Sequence, residues 1–133
     1  MSDPYQPLQE RGKDVREHVL GAEWIQTARK RGEVFGGNFQ DIVTSLVWGG
    51  VWSRPGLSLR DRSLVTVAVL TALNRPDQLA QHIEGALRNG CTREELEEAL
   101  VQIGAYAGFP TAVIAIGIAQ KVLGAAQTPA AAE

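Results

Sequence analysis

Apolar residues recur along this chain at three- and four-residue spacing between short breaks, which is the period of helices rather than strands. Residues 10 to 20 and 22 to 31 form two polar-rich segments of this kind, divided by Gly21. In "NFQDIVTSLVWGGVW" the positions Phe39, Ile42, Val43, Leu46 and Val47 keep the helical spacing. "SRPGL" then interrupts it, because Pro55 restricts the residue before it and Gly56 supplies a turn. Ser58 can cap the following helix, with Asp61 complementing its N-terminus. From Leu59 to Leu73 the chain is apolar on nearly every side after Arg62; its length, not its period, favours helix over buried strand. Pro76 suits the first turn of the next helix, which Gly90 closes. "TREE" at Thr92 to Glu95 matches a capping box and opens a helix to about Tyr106. After "GFP", Pro110 starts a last apolar helix reaching about Leu123.

The pattern predicts one all-α domain of six to seven helices over residues 1–124, followed by a flexible tail, 125–133. Two of the helices are apolar nearly all round, and a chain of 133 residues has few other elements to cover them. A homo-oligomer is therefore expected. The most apolar runs, "SLVTVAVLTAL" and "PTAVIAIGIA", fall short of the roughly 20 residues of a membrane span. The polar N-terminus lacks a signal-peptide pattern, so a cytoplasmic location is expected. A net charge of −2 gives no basic field for nucleic acid or an anionic membrane. Cys91 is the one cysteine, and His18 and His82 lack further ligands at metal-site spacing. We therefore expect neither a metal nor a cofactor.

Three clusters could carry chemistry. His82, in "NRPDQLAQHIEGAL", falls in line with Leu79, Ile83 and Ala86. Such a ring is either a core spectator or a proton carrier working near neutrality. In "WGGVWSRPGLSLRDR", Trp48 and Trp52 share a helical face, and arginines including Arg54 and Arg62 follow. These residues are either packing anchors and solvated charges, or the walls and clamps of a pocket for a small planar anion. In "AYAGFP", Tyr106 either ends a helix or turns its hydroxyl into a pocket.

Taken in order, W-G-x-x-W-x-R-P-G-L, R-S-L, H-x-x-x-A-x-x-N-G-x-T and Y-x-G-x-P, together with "VREHVLG" and "FQDIVT", resemble the carboxymuconolactone decarboxylase family over nearly the whole chain. The resemblance implies an all-helical, AhpD-like fold in a ring-like homo-oligomer, a trimer or hexamer. It implies cofactor-free decarboxylation of a small anionic lactone, 4-carboxymuconolactone, to the β-ketoadipate enol-lactone of protocatechuate breakdown. It places His82 on the family's histidine as the proton-transfer residue. Arg54 and Arg62 become candidates for carboxylate binding, and Trp48, Trp52 and Tyr106 candidates for the pocket lining.

The chain departs from close relatives at polar positions: Asn38 and Gly50 stand where relatives often carry acids. Glu33 or Asp41 could replace a missing carboxylate. These departures favour a second expectation, an enzyme acting on a different lactone or keto-acid as decarboxylase, isomerase or cyclase. A third is a non-catalytic oligomer that binds a small anion or a partner. The redox branch of the superfamily needs a Cys-x-x-Cys pair four residues ahead of the histidine, where this chain has Arg75 and Gln78.

Overall fold

The computed structural model describes residues 3–35 and 38–127, and the side chains of all of these but 32–35 and 125–127. Among the described residues the fold is all-α: seven α-helices and one π-helical segment, with no strand. The chain separates into two compact units, Met1–Leu59 and Arg60–Glu133. No helix among the described residues is long and apolar enough to cross a membrane. Of the expected tail, 125–127 continue the last helix and the remainder lies outside the described residues.

The first unit holds α1 (Gln6–Leu20), α2 (Ala22–Phe35), α3 (Asn38–Val43) and the π-helix Thr44–Trp52. Gly21 divides α1 from α2 as the pattern predicts, at φ 88° with its N–H on the Glu17 carbonyl. The π-helix was not legible in the spacing. Its hydrogen bonds reach back five residues, as from the Ser53 N–H to the Trp48 carbonyl at 3.1 Å. Along this stretch the buried residues are Thr44, Ser45, Trp48, Gly49 and Trp52, while Phe39, Ile42, Leu46 and Val47 are exposed. Trp48 and Trp52 stack with centroids 4.9 Å apart and form the core with Val19 and Leu20, against Val15, Trp24, Val43 and Leu59. α1 meets the π-helix backbone to backbone. A Cβ at Gly12 would stand 2.0 Å from the Thr44 carbonyl oxygen, and one at Gly49 1.9 Å from that of Leu8.

The second unit holds most of α4 (Leu59–Ala72), then α5 (Pro76–Arg88), α6 (Arg93–Ala107) and α7 (Phe109–Gln127). Its core joins Val67 of α4, Leu79, Ile83 and Ala86 of α5, Leu96 and Leu100 of α6, and Ala115, Ala119 and Leu123 of α7. The α5–α6 corner is tightly bonded. Gly90, at φ 93°, donates to the Leu87 carbonyl and Cys91 to that of Ala86, which is a Schellman arrangement. Thr92 then caps α6 reciprocally: its Oγ1 accepts from the Glu95 N–H at 3.1 Å, and Glu95 Oε2 accepts from the Thr92 N–H at 2.8 Å. Glu95 also pairs with Arg60, which ties the start of α6 to the start of α4.

An alanine at Gly12 or Gly49 must displace backbone, not a flexible side chain. We expect Gly12→Ala to cost at least about 2 kcal/mol in urea unfolding. Gly56→Ala, where an added Cβ meets nothing within 4 Å, should stay within about 0.5 kcal/mol of the wild type. Equal midpoints for the two variants would contradict the backbone contact.

Candidate active site

His82 sits on α5 at the edge of the buried stripe that Leu79, Ile83 and Ala86 form at 2%, 1% and 0% exposure. Its ring is half-buried, neither sealed in the core nor free in solvent. Withdrawal from water penalises the imidazolium and pushes the His82 pKa down from 6.5 to about 4. At neutral pH the ring is therefore an uncharged imidazole, able to donate from one nitrogen and accept at the other.

Arg62 lies in the first turn of α4, half-buried, with its Nε out of solvent; its backbone carbonyl accepts from Thr66 Oγ1 at 2.8 Å. A guanidinium in such a position interacts more strongly with an anion than one in bulk water. Tyr106, near the end of α6, is 87% exposed. In the first unit, Trp48 and Trp52 are brought together as expected, but at 3% and 7% exposure they are first of all core anchors. Arg54 follows the π-helix, exposed, with its backbone N–H on the Val51 carbonyl at 3.1 Å.

Asn38 and Gly50 both lie outside the buried cores. Asn38 is exposed and lines a cavity of about 510 Å³ with Asp41, Tyr5 and Ser45. Asp41, one of the two candidate replacement carboxylates, lines the same cavity as Asn38, whereas the Glu33 side chain lies outside the described residues. At Gly50 an added Cβ would meet only the Ser45 carbonyl oxygen at 3.5 Å, an ordinary contact. That position has room for a side chain, so its glycine is not required by packing.

Sequence reasoning passed over Arg16. It lies on the buried face of α1 with Gly12, Val19 and Leu20, at 6% exposure. The available signal was a charge at helical spacing within an apolar stripe, the same signal that singled out His82.

Comparison with known proteins adds a family context. The model of the carboxymuconolactone decarboxylase family matches residues 37–121. The chain is 40% identical over 111 residues to 4-carboxymuconolactone decarboxylase of Acinetobacter baylyi, covering 84% of this chain and 83% of that protein. It is 34% identical over 116 residues to nitrosuccinic acid decarboxylase of Metarhizium robertsii, covering 87% and 81%.

The lowered pKa of His82 has a measurable consequence. Between about 4 and 6.5 the unfolded chain binds more protons at this residue than the folded one, so stability rises with pH across that window and levels off above it. His82→Gln removes this contribution and leaves the carboxylates unchanged. The drop in melting temperature between about pH 7 and pH 4.5 should be smaller in the variant than in the wild type. Equal drops would mean that the folded ring titrates at its ordinary value.

Proposed function

The chain belongs to the carboxymuconolactone decarboxylase family, and from that premise we propose that it is a cofactor-independent carboxy-lyase converting 4-carboxymuconolactone to the β-ketoadipate enol-lactone. The structural observation that supports this reading is His82, a half-buried imidazole that burial keeps neutral at pH 7 and that the motif resemblance implies as the proton-transfer residue.

The reaction breaks one carbon–carbon bond and forms one carbon–hydrogen bond. As CO2 leaves, the bonding electron pair moves through the ring double bond into the lactone carbonyl, giving a dienolate. One proton must then reach the ring carbon α to that carbonyl. The burial that keeps His82 neutral also makes its conjugate acid a strong proton donor once formed. An anionic substrate beside the ring favours the imidazolium and raises the pKa again, so binding itself would help to load the proton that the dienolate takes. Arg62 is assigned to a substrate carboxylate. Arg54, Trp48, Trp52 and Tyr106 are further candidates for substrate contact on the resemblance alone.

A second reading, decarboxylation of a different acid, is favoured by Asn38 and Gly50. One matched relative is named for nitrosuccinic acid, so a change of substrate within this scaffold is chemically reasonable. Supplying 4-carboxymuconolactone and, separately, nitrosuccinic acid to the purified protein distinguishes the two. In D2O, NMR should show the enol-lactone with one deuterium at the carbon α to the carbonyl. His82→Ala should lower turnover by about 10²- to 10⁴-fold, the range for loss of a general acid–base group. No turnover of the lactone at high enzyme concentration would remove the leading reading.

We also propose that further copies of this chain cover its exposed apolar side chains. Val65 and Val69 on α4, and Leu73 just after it, repeat every four residues and are 55%, 49% and 57% exposed; Val113 and Ile114 on α7 are 66% and 52% exposed. Sedimentation should give a multiple of the protomer mass, reduced to the protomer by Val69→Glu with helix content unchanged. A wild type that sediments as a single copy at micromolar concentration would refute this.

A further inference from the structure

Arg16 is a buried cation whose partners are all neutral. Its Nη1 donates to Thr44 Oγ1 at 2.9 Å and its Nη2 to Gln40 Oε1 at 2.6 Å, and the guanidinium carbon lies 5.3 Å from the Trp24 ring centroid. The Thr44 hydroxyl in turn donates to the Gln40 carbonyl at 2.8 Å, so its oxygen is oriented to accept from Arg16. The Nε of Arg16 is buried without a hydrogen-bond partner among the described residues. Burial first, and then repulsion by Arg29, hold the Arg16 pKa below its ordinary value.

Guanidinium does not give up its proton in proteins, so Arg16 keeps its charge at this cost. Buried charges normally have an opposite charge beside them. Among the described residues no carboxylate pairs with Arg16 or Arg29. What does adjoin them is a cavity of about 480 Å³, lined by Arg16, Arg29 and Lys13 with Gln40 and Thr44. Its size is that of a small-molecule pocket. Asp14, Glu17 and Asp41 also line it, but all three are exposed, where solvent and salt screen them more effectively than they screen Arg16.

We propose that this cavity in the first unit binds a small dianionic oxyanion, a short dicarboxylate or inorganic phosphate. Arg16 supplies a fixed, dry positive charge held by Thr44, Gln40 and Trp24, and Arg29 supplies the second cation from the open side. The anion relieves the repulsion between the two guanidinium groups. The acidic residues around the cavity disfavour extended polyanions and restrict it to small ligands. This site uses none of the residues assigned to decarboxylation and does not rest on that reading.

The test follows the arginine Nε–Hε signals of the full chain by NMR during titration with succinate, inorganic phosphate and, at matched ionic strength, sodium chloride. Succinate or phosphate should shift the Arg16 signal saturably, and chloride should not; the tighter of the two identifies the ligand as carboxylate or phosphate. Because removing Arg16 would break the buried network, the variant is Arg29→Gln on the exposed side of α2. It should weaken binding by about tenfold or more, the effect of losing one charge-assisted hydrogen bond. Absence of a saturable shift with either oxyanion, an equal response to chloride, or unchanged affinity in Arg29→Gln would each overturn the proposal.

Discussion

The close backbone approach of α1 to the π-helix, through Gly12 and Gly49, is the constraint on which the first unit depends. With Cβ positions only 2.0 and 1.9 Å from carbonyl oxygens, no side chain fits at either place. Glycine within a helix costs about 1 kcal/mol relative to alanine, and π-winding gives up regular α-helical bonding. In return the contact brings Arg16, one turn beyond Gly12, within hydrogen-bond distance of Thr44. It also accompanies the burial of Trp48 and Trp52 against Val19 and Leu20. An ordinary helix pair, held apart by its side chains, would leave the Arg16 guanidinium nearer to water.

The second unit solves a different problem, which is to turn the chain sharply without exposing backbone groups. At the α5–α6 corner the N–H groups of Asn89, Gly90, Cys91, Thr92 and Glu95 all have local acceptors. Only a residue without a Cβ takes the Gly90 conformation at no steric cost, and Cys91 then fits as a small buried group, its Sγ 3.8 Å from the Arg60 carbonyl. The Thr92 N–H and the Arg60 guanidinium hold the Glu95 carboxyl below the usual range, so the corner keeps its negative charge at the start of α6. His82 inherits its position from this arrangement, since the corner and the Leu79–Ile83–Ala86 stripe together fix the rotation of α5.

Helix ends in this second unit were therefore the most legible feature of the sequence. Pro76, Gly90 and the Thr92–Glu95 box act through short-range chemistry, and the helices begin and end within a few residues of the places these signals mark. The π-helix was not legible, because Phe39, Ile42, Leu46 and Val47 satisfy an α-helical period while facing outward. What decides the buried side there is the tolerance of Gly12 and Gly49 for contact, a pairing 37 residues apart that no local pattern encodes. The candidate site shows the same division. His82 could be read from its place in a stripe and in an ordered set of motifs, whereas the degree of burial that sets its charge state is a tertiary quantity. Arg16 carried the same stripe signal without a motif to give it a chemical meaning.

His82 and Arg16 also show that the same kind of burial penalty can have opposite chemical results. Both side chains are moved out of water, and for both the charged form is penalised. Imidazole can respond by releasing its proton, so His82 becomes neutral and its acid form gains donor strength. Guanidinium has no such response, and the penalty persists as an unmet demand for negative charge. A histidine at a buried edge is thus suited to moving a proton, and an arginine buried among neutral partners is suited to holding an anion still. The distinction follows from the intrinsic acidity of the two groups. It explains why the same observation, a base inside an apolar stripe, supports chemistry in one unit and binding in the other.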